Sequence, residues 1–241
     1  HFLDIRASRP YERVLGARTM PGAQWFVGAR LNLVDQVFRH ATDARPAIVA
    51  GDESGALREV SWAELQSQVA SVAAALREFG VVPGDRVVAI LPNVPQTIVA
   101  FLACASVGAI WSVCSPDMGP LAVLDRFRQI APKVLIVPLL HGRLDTARIP
   151  QARCWTAVIS NDAVLRAEQL AADHPLWVVY SSGTTGLPKA IVHGHAGVLL
   201  EMMKGVHLHR DIGRGDRFFW YTTTGWIMWN SQVGVLLGGS T

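Results

Sequence analysis

Between residues 61 and 137 the sequence alternates three times between a stretch of helical periodicity and a short, largely apolar run, of which 87–91 is continuous. The runs are 87–91, 109–113 and 133–137, rich in Val, Ile and Leu. Runs of that length and content read as strands buried on both faces of a parallel sheet. Before the first, Ser61-Trp62-Ala63-Glu64 has the form of a capping box. Trp62, Leu65, Val69, Val72, Ala73, Leu76 and Phe79 then recur at helical spacing up to Gly80, a C-terminal stop. Pro83-Gly84-Asp85-Arg86 turns the chain into the first strand, and helices are expected at 95–107, ended by Gly108, and from about 119 to 131. Alternation of this kind calls for right-handed crossovers. The fold expected is α/β: layered, mostly parallel sheets with flanking helices.

The remainder is less regular. Residues 1–60 read as an irregular N-terminal leader, with turn signals at Arg9-Pro10, Met20-Pro21-Gly22 and 51–55 and one helix from 32 to about 40. Residues 61–175 are expected to form a first α/β subdomain and 176–241 the start of a second. Within the latter, Leu176-Trp177-Val178-Val179 and Ala190-Ile191-Val192 read as strands, 197 to about 209 as a helix, and 216–221 as a further strand.

With 50% hydrophobic residues among 241 and a mean hydropathy of +0.26, the chain holds enough apolar mass for a large core, which excludes disorder. No apolar run approaches the roughly 18 residues of a membrane span. The opening His1-Phe2-Leu3-Asp4-Ile5-Arg6 has neither a starting Met nor a secretory pattern, so a cytoplasmic protein lacking its first residues is expected. Cys104, Cys114 and Cys154 have no metal-ligand or C-x-x-C spacing and read as reduced core thiols. The net charge is +3, but the 22 Lys and Arg residues are scattered and form no basic arm. Neither nucleic acid nor membrane is expected as a partner. His193-Gly194-His195 has no third ligand near it in sequence and is set aside as a metal pair.

One polar stretch interrupts the apolar pattern: Tyr180-Ser181-Ser182-Gly183-Thr184-Thr185-Gly186-Leu187-Pro188-Lys189. Its hydroxyls and the backbone freedom of Gly183 and Gly186 suit amides and donors turned toward a phosphate chain, and Lys189 adds a positive charge directly after a proline. Without Pro188 and Lys189 such a cluster reads equally well as an ordinary surface turn. The stretch is not a Walker A loop, because its glycines are three apart and no Ser or Thr follows the lysine.

As a whole, Y-S-S-G-T-T-G-L-P-K-A resembles the phosphate-loop signature of the adenylate-forming superfamily of acyl-CoA synthetases, peptide-synthetase adenylation domains and luciferases. Gly84-Asp85-Arg86-Val87, Pro92-Asn93 and Gly108-Ala109 stand where members carry G-D-R-V, P-N and G-A. Within that superfamily, H-G-H-A-G-V-L-L-E and F-F-W-Y-T-T-T-G-W-I-M-W-N resemble acetoacetyl-CoA synthetases more closely than acetyl-CoA synthetases. The stretch Gln24-Trp25-Phe26-Val27-Gly28-Ala29-Arg30-Leu31-Asn32 is similar to both. The resemblance implies an acid–thiol ligase that activates acetoacetate with ATP as an acyl adenylate and passes it to coenzyme A. The alternatives it leaves are an acetyl- or propionyl-CoA synthetase, or an inactive nucleotide-binding fragment should the chain end at Thr241.

By the same resemblance Ser181, Ser182, Gly183, Thr184, Thr185, Gly186 and Lys189 hold the ATP phosphates, with Lys189, Thr184 and Thr185 catalytic and Mg²⁺ accompanying the nucleotide. Trp226, Ile227, Met228 and Asn230 face the acid and the coenzyme A thiol, although Trp226 and Trp229 read equally well as core. The partners implied are small molecules: a short carboxylic acid, ATP and coenzyme A. Members of the superfamily carry a longer segment after the position of Val137, with a G-G-K element near the coenzyme A nucleotide. They also carry later adenine and magnesium motifs and a C-terminal domain, which have no counterpart here.

Overall fold

A computed structural model describes residues 3–137, the backbone of 152–154, and residues 163–181 and 186–241. The N-terminal part is less irregular than its sequence suggests. β1 (Arg13–Leu15) and β2 (Trp25–Val27) form an antiparallel hairpin, and β3 (Arg30–Leu31) follows at once. Then come α1 (Leu33–Phe38) and a second hairpin of β4 (Ile48–Gly51) and β5 (Leu57–Val60). These strands have two to four residues each, and their side chains, few of them buried, give no period-two pattern to read. Asn32 caps α1 by accepting from the Val34 N–H, and its amide donates to the carbonyls of Ala105 and Glu168, both at 2.9 Å.

α2 (Trp62–Glu78) begins where the capping box places it, with the Ser61 hydroxyl accepting from the Glu64 N–H at 3.0 Å. The Glu64 carboxylate is held by Arg58 and Gln68. The apolar stripe from Trp62 to Leu76 is buried throughout. β6 (Arg86–Ile90), α3 (Pro95–Ser106), β7 (Ile110–Cys114), α4 (Pro120–Phe127) and β8 (Val134–Val137) then follow in the expected alternation. α4 stops short of residue 131, and Ala131 takes φ +45 in the turn before β8. In the G-D-R-V turn the Arg86 guanidinium donates to the carbonyls of Gly84, Ile130 and Ala131, while Lys133 pairs with Asp85 at 2.7 Å. The motif is a clamp between the start of β6 and the turn after α4.

Beyond β9 (Ala152–Cys154) and β10 (Leu170–Ala171), which pairs with β3, come β11 (Pro175–Ser181) and β12 (Lys189–Gly194). α5 (His195–Lys204) continues as a π-helical turn over Gly205–His209, and α6 (Ile227–Gly234) runs into a 3₁₀ turn at Val235–Gly238. Residues 216–221, expected as a strand, are irregular. Their backbone meets Gly213 through Asp216 N–H, Thr241 through Phe218 N–H and Asp216 C=O, and the side chain of Gln232, which is too little pairing for a ladder.

The central sheet runs β12-β11-β7-β6-β8-β9, parallel except for the antiparallel pair β11–β12. β6 lies inside it and is covered on both faces. Val87 and Ala89 join the main core with α2 and α3, whereas Val88 and Ile90 pack with Val123, Phe127 and Leu135. Phe101 of α3 gathers Trp111, Trp177 and Trp229 within 5.7 to 6.4 Å, centroid to centroid.

Candidate functional site

Parallel strands end on the same edge of a sheet, and ligands in such folds bind beyond their carboxyl ends. Here that edge carries Leu91-Pro92-Asn93 after β6, Ser115-Pro116-Asp117-Met118-Gly119 after β7, and Ser181 at the end of β11.

Ser181 pairs directly with Lys189 across the antiparallel ladder, so the phosphate-loop sequence starts and finishes at one rung. Ser182, Gly183, Thr184 and Thr185 lie outside the described residues. Gly186 takes φ +148, a conformation open to glycine and strained for other residues, and Leu187 beside it is exposed. The exit is tied down from the turn after α4: Gln129 donates to the Pro188 carbonyl at 2.9 Å and to the Asp125 carbonyl at 2.8 Å. On the entry side the Tyr180 hydroxyl donates to the Arg126 carbonyl at 2.8 Å, with the Arg126 guanidinium 5.7 Å over its ring. Burial pushes the Tyr180 phenol up to about 12, so it stays a neutral donor. Lys189 is exposed, and no ion pair among the described residues engages its ammonium.

The second motif reaches the same edge by its own ties. Thr224 is buried and donates to the Leu91 carbonyl at 2.7 Å. Gly225 lies so close to the turn after β7 that a Cβ on it would stand 3.0 Å from Met118 Cε. Trp229 is 0% exposed, and its indole N–H donates to Asn93 Oδ1 at 3.0 Å. Between these anchors Trp226 is 65% exposed and Ile227 42%. The two tryptophans left open by the sequence therefore separate, Trp229 to the core and Trp226 to the surface. Met228 is half-buried, and Asn230 is buried and lines a small internal cavity with Phe101, Trp177 and Met202. The 410 Å³ groove lined by Leu3, Ile5, Tyr11 and Phe26 contains none of these residues.

The histidine pair is engaged in structure. His193 Nδ1 accepts from the Trp177 indole at 2.8 Å, and His195 Nδ1 accepts from the Leu33 N–H at 3.3 Å inside the core. Among the described residues no three His, Cys, Asp or Glu side chains gather where a metal could be held. Cys104 and Cys114 are free and buried, as expected, and burial raises both thiols; the side chain of Cys154 lies outside the described residues.

A mostly parallel sheet with a hydroxyl- and glycine-rich loop at its carboxyl edge defines a nucleotide-binding class, and the chain belongs to the AMP-binding enzyme family, which matches residues 35–241. It is similar to acetoacetyl-CoA synthetase from Streptomyces lividans, with a TM-score of 0.93 and 47% identity over 100% of this chain and 42% of that one. The acetoacetyl-CoA synthetase of Rattus norvegicus is 36% identical over 100% of this chain and 42% of its own length. The acetoacetyl-coenzyme A synthetase of Rhizobium meliloti (strain 1021) is 38% identical over 92% of this chain and 39% of its own. The chain thus spans about 42% of the length of such relatives. The alignment with the rat protein runs over 285 residues against 241 here, so that protein carries residues with no counterpart in this chain. The expected place for such a segment, after Val137, lies outside the described residues.

Sequence reasoning missed Gln129, Asn93 and Thr224 as parts of this edge. Asn93 stands in the P-N pair and was legible as a polar residue just past a buried strand. Thr224 stands in the T-T-T-G-W stretch but is not set apart there from Thr222 and Thr223, and Gln129 carries no signal; only the tertiary fold brings these two to their carbonyl partners.

Proposed function

We propose that this chain is the nucleotide- and acid-binding part of a ligase that activates acetoacetate with ATP and transfers it to coenzyme A. The observation that carries this reading is the convergence of the phosphate loop and the T-T-T-G-W stretch on one sheet edge, in a chain 47% identical to an acetoacetyl-CoA synthetase. In the first half-reaction a carboxylate oxygen of the acid attacks the α-phosphorus of ATP, forming a P–O bond as the bond to pyrophosphate breaks. The coenzyme A thiolate then attacks the acyl carbon and AMP leaves.

Ser181 to Lys189 hold the β- and γ-phosphates, with Thr184, Thr185 and Lys189 meeting the charge that moves onto pyrophosphate. The exposed Lys189 ammonium at the start of β12 is free for that task. Trp226, Ile227 and Met228 face the acid, and Asn230 supports them from inside. Mg²⁺ enters with the ATP phosphates, whose oxygens and waters supply most of its octahedron. Free buried thiols fit a cytoplasmic setting.

The test is Lys189→Ala in the full-length protein. We expect pyrophosphate exchange into ATP, driven by acetoacetate, to fall about 100-fold. Thioester formation from supplied acetoacetyl adenylate should change little. Equal losses in the two half-reactions would remove Lys189 from the phosphate site. Exchange with acetate or propionate but not acetoacetate would favour the smaller-acid ligases, a distinction that turns on about 1 to 3 kcal/mol per methylene.

A further inference from the structure

Thr224 and Trp229 bracket Trp226, Ile227 and Met228, and each reaches back to the segment just past β6. Thr224 holds a backbone carbonyl, that of Leu91, and Trp229 holds a side chain, that of Asn93. The Trp229 ring is fixed by the core, packed edge-on against Phe101 with centroids 6.2 Å apart. Its N–H is therefore committed in direction and finds one acceptor, Asn93 Oδ1. Trp226 and Ile227, by contrast, show their side chains to solvent although they lie only three and two residues from a fully buried ring. An apolar surface held open in this way takes its position from what holds its two ends: Thr224 before it, and behind it the buried part of α6, of which Ile227 and Met228 are the first residues.

We propose that Asn93 is a positioning residue for acid binding: through Trp229 it fixes the register of the 226–228 surface against the end of β6, with Thr224 as the second anchor. This rests on the ligase reading above. Its consequence is selective. Loss of the Asn93 acceptor loosens the surface that meets the acid but leaves Ser181, Lys189 and the bonds of their neighbours Tyr180 and Pro188 to Arg126 and Gln129 in place, so acid affinity suffers and ATP affinity does not.

The experiment compares Asn93→Ala with Asn93→Asp in the full-length protein, the aspartate keeping an oxygen to accept from the indole. KM values for acetoacetate and ATP in pyrophosphate exchange are measured, together with deuterium uptake over residues 222–229. We expect Asn93→Ala to raise the acetoacetate KM about tenfold, the cost of leaving one buried donor unpaired. Its ATP KM should stay within about twofold, and uptake over 222–229 should rise. Asn93→Asp should restore both readouts. An unchanged acid KM, a parallel rise for acid and ATP, or equal damage from both substitutions would overturn the proposal. Should the parent exchange pyrophosphate with no acid at all, the ligase reading falls and this one with it, and the uptake measurement then reports separately whether Asn93 anchors the segment.

Discussion

His195 sits at 0% exposure with its Nδ1 committed to the Leu33 N–H, and burial lowers its pKa from 6.5 to about 3, with the His174 charge adding to the effect. The unfolded chain takes up a proton near pH 6.5, whereas the folded chain resists it until about pH 3. Protons in that window therefore favour the unfolded state. The stability that His195 contributes is whole above pH 6.5 and is lost as the pH falls toward 3, by at most about 1.4 kcal/mol per pH unit. His40, lowered to about 4 chiefly by burial and then by Arg214, acts with the same sign. Urea unfolding at pH 7.5 and 5 should show the loss. His195→Asn, which keeps an acceptor near the Nδ1 position and does not titrate, should show a smaller one. An equal pH dependence in the two proteins would clear His195 of the effect.

At the scale of elements, β12 is the point of exposure. It ends the order of the central sheet, its outer edge is unpaired among the described residues, and Val192 on it is 56% exposed. Apolar edge strands are templates for pairing with another chain, and an edge lysine blunts them. We expect Val192→Lys to reduce concentration-dependent association of the 241-residue chain in sedimentation. Its unfolding midpoint should move by no more than about 0.5 kcal/mol in stability terms. The alternation from α2 to β8 was legible because the strands are short apolar runs, α2 carries one buried stripe, and α3, buried all round from Thr97 to Ser106, is too long for a strand and lies between Pro95 and Gly108. The hairpins before residue 61 were not, because strands of three or four residues with little buried surface leave no hydrophobic period. Residues 216–221 misled for the opposite reason: Phe218, Phe219, Trp220 and Tyr221 have the composition of a strand, but no neighbouring strand pairs with them in the described structure. Of the candidate site, the polar stretch 180–189 stood out by its residue types and its resemblance, whereas its tethers, the Gln129 amide and the Arg126 carbonyl, belong to other elements and leave no trace in its own sequence.

For the molecule as a whole, Phe219, Tyr221, Trp226 and Ile227 are all exposed in a chain that spans 42% of the length of its relatives. That much apolar surface on one contiguous stretch of sequence calls for a cover. On the ligase reading proposed above, these 241 residues by themselves should bind a hydrophobic dye such as ANS and form no acetoacetyl-CoA, while a protein of the relatives' full length should bind little dye and turn over. Thioester synthesis by the 241-residue polypeptide would refute this. The β11–β12 hairpin carries a last consequence. Since Ser181 and Lys189 face each other on one rung, residues 182–188 have a circumference rather than a span to cover. A single backbone nick among them would leave both new ends tethered to the same ladder. The two halves of the 182–188 segment would stay attached to neighbouring strands, where the same cut in a crossover between parallel strands would let them drift apart.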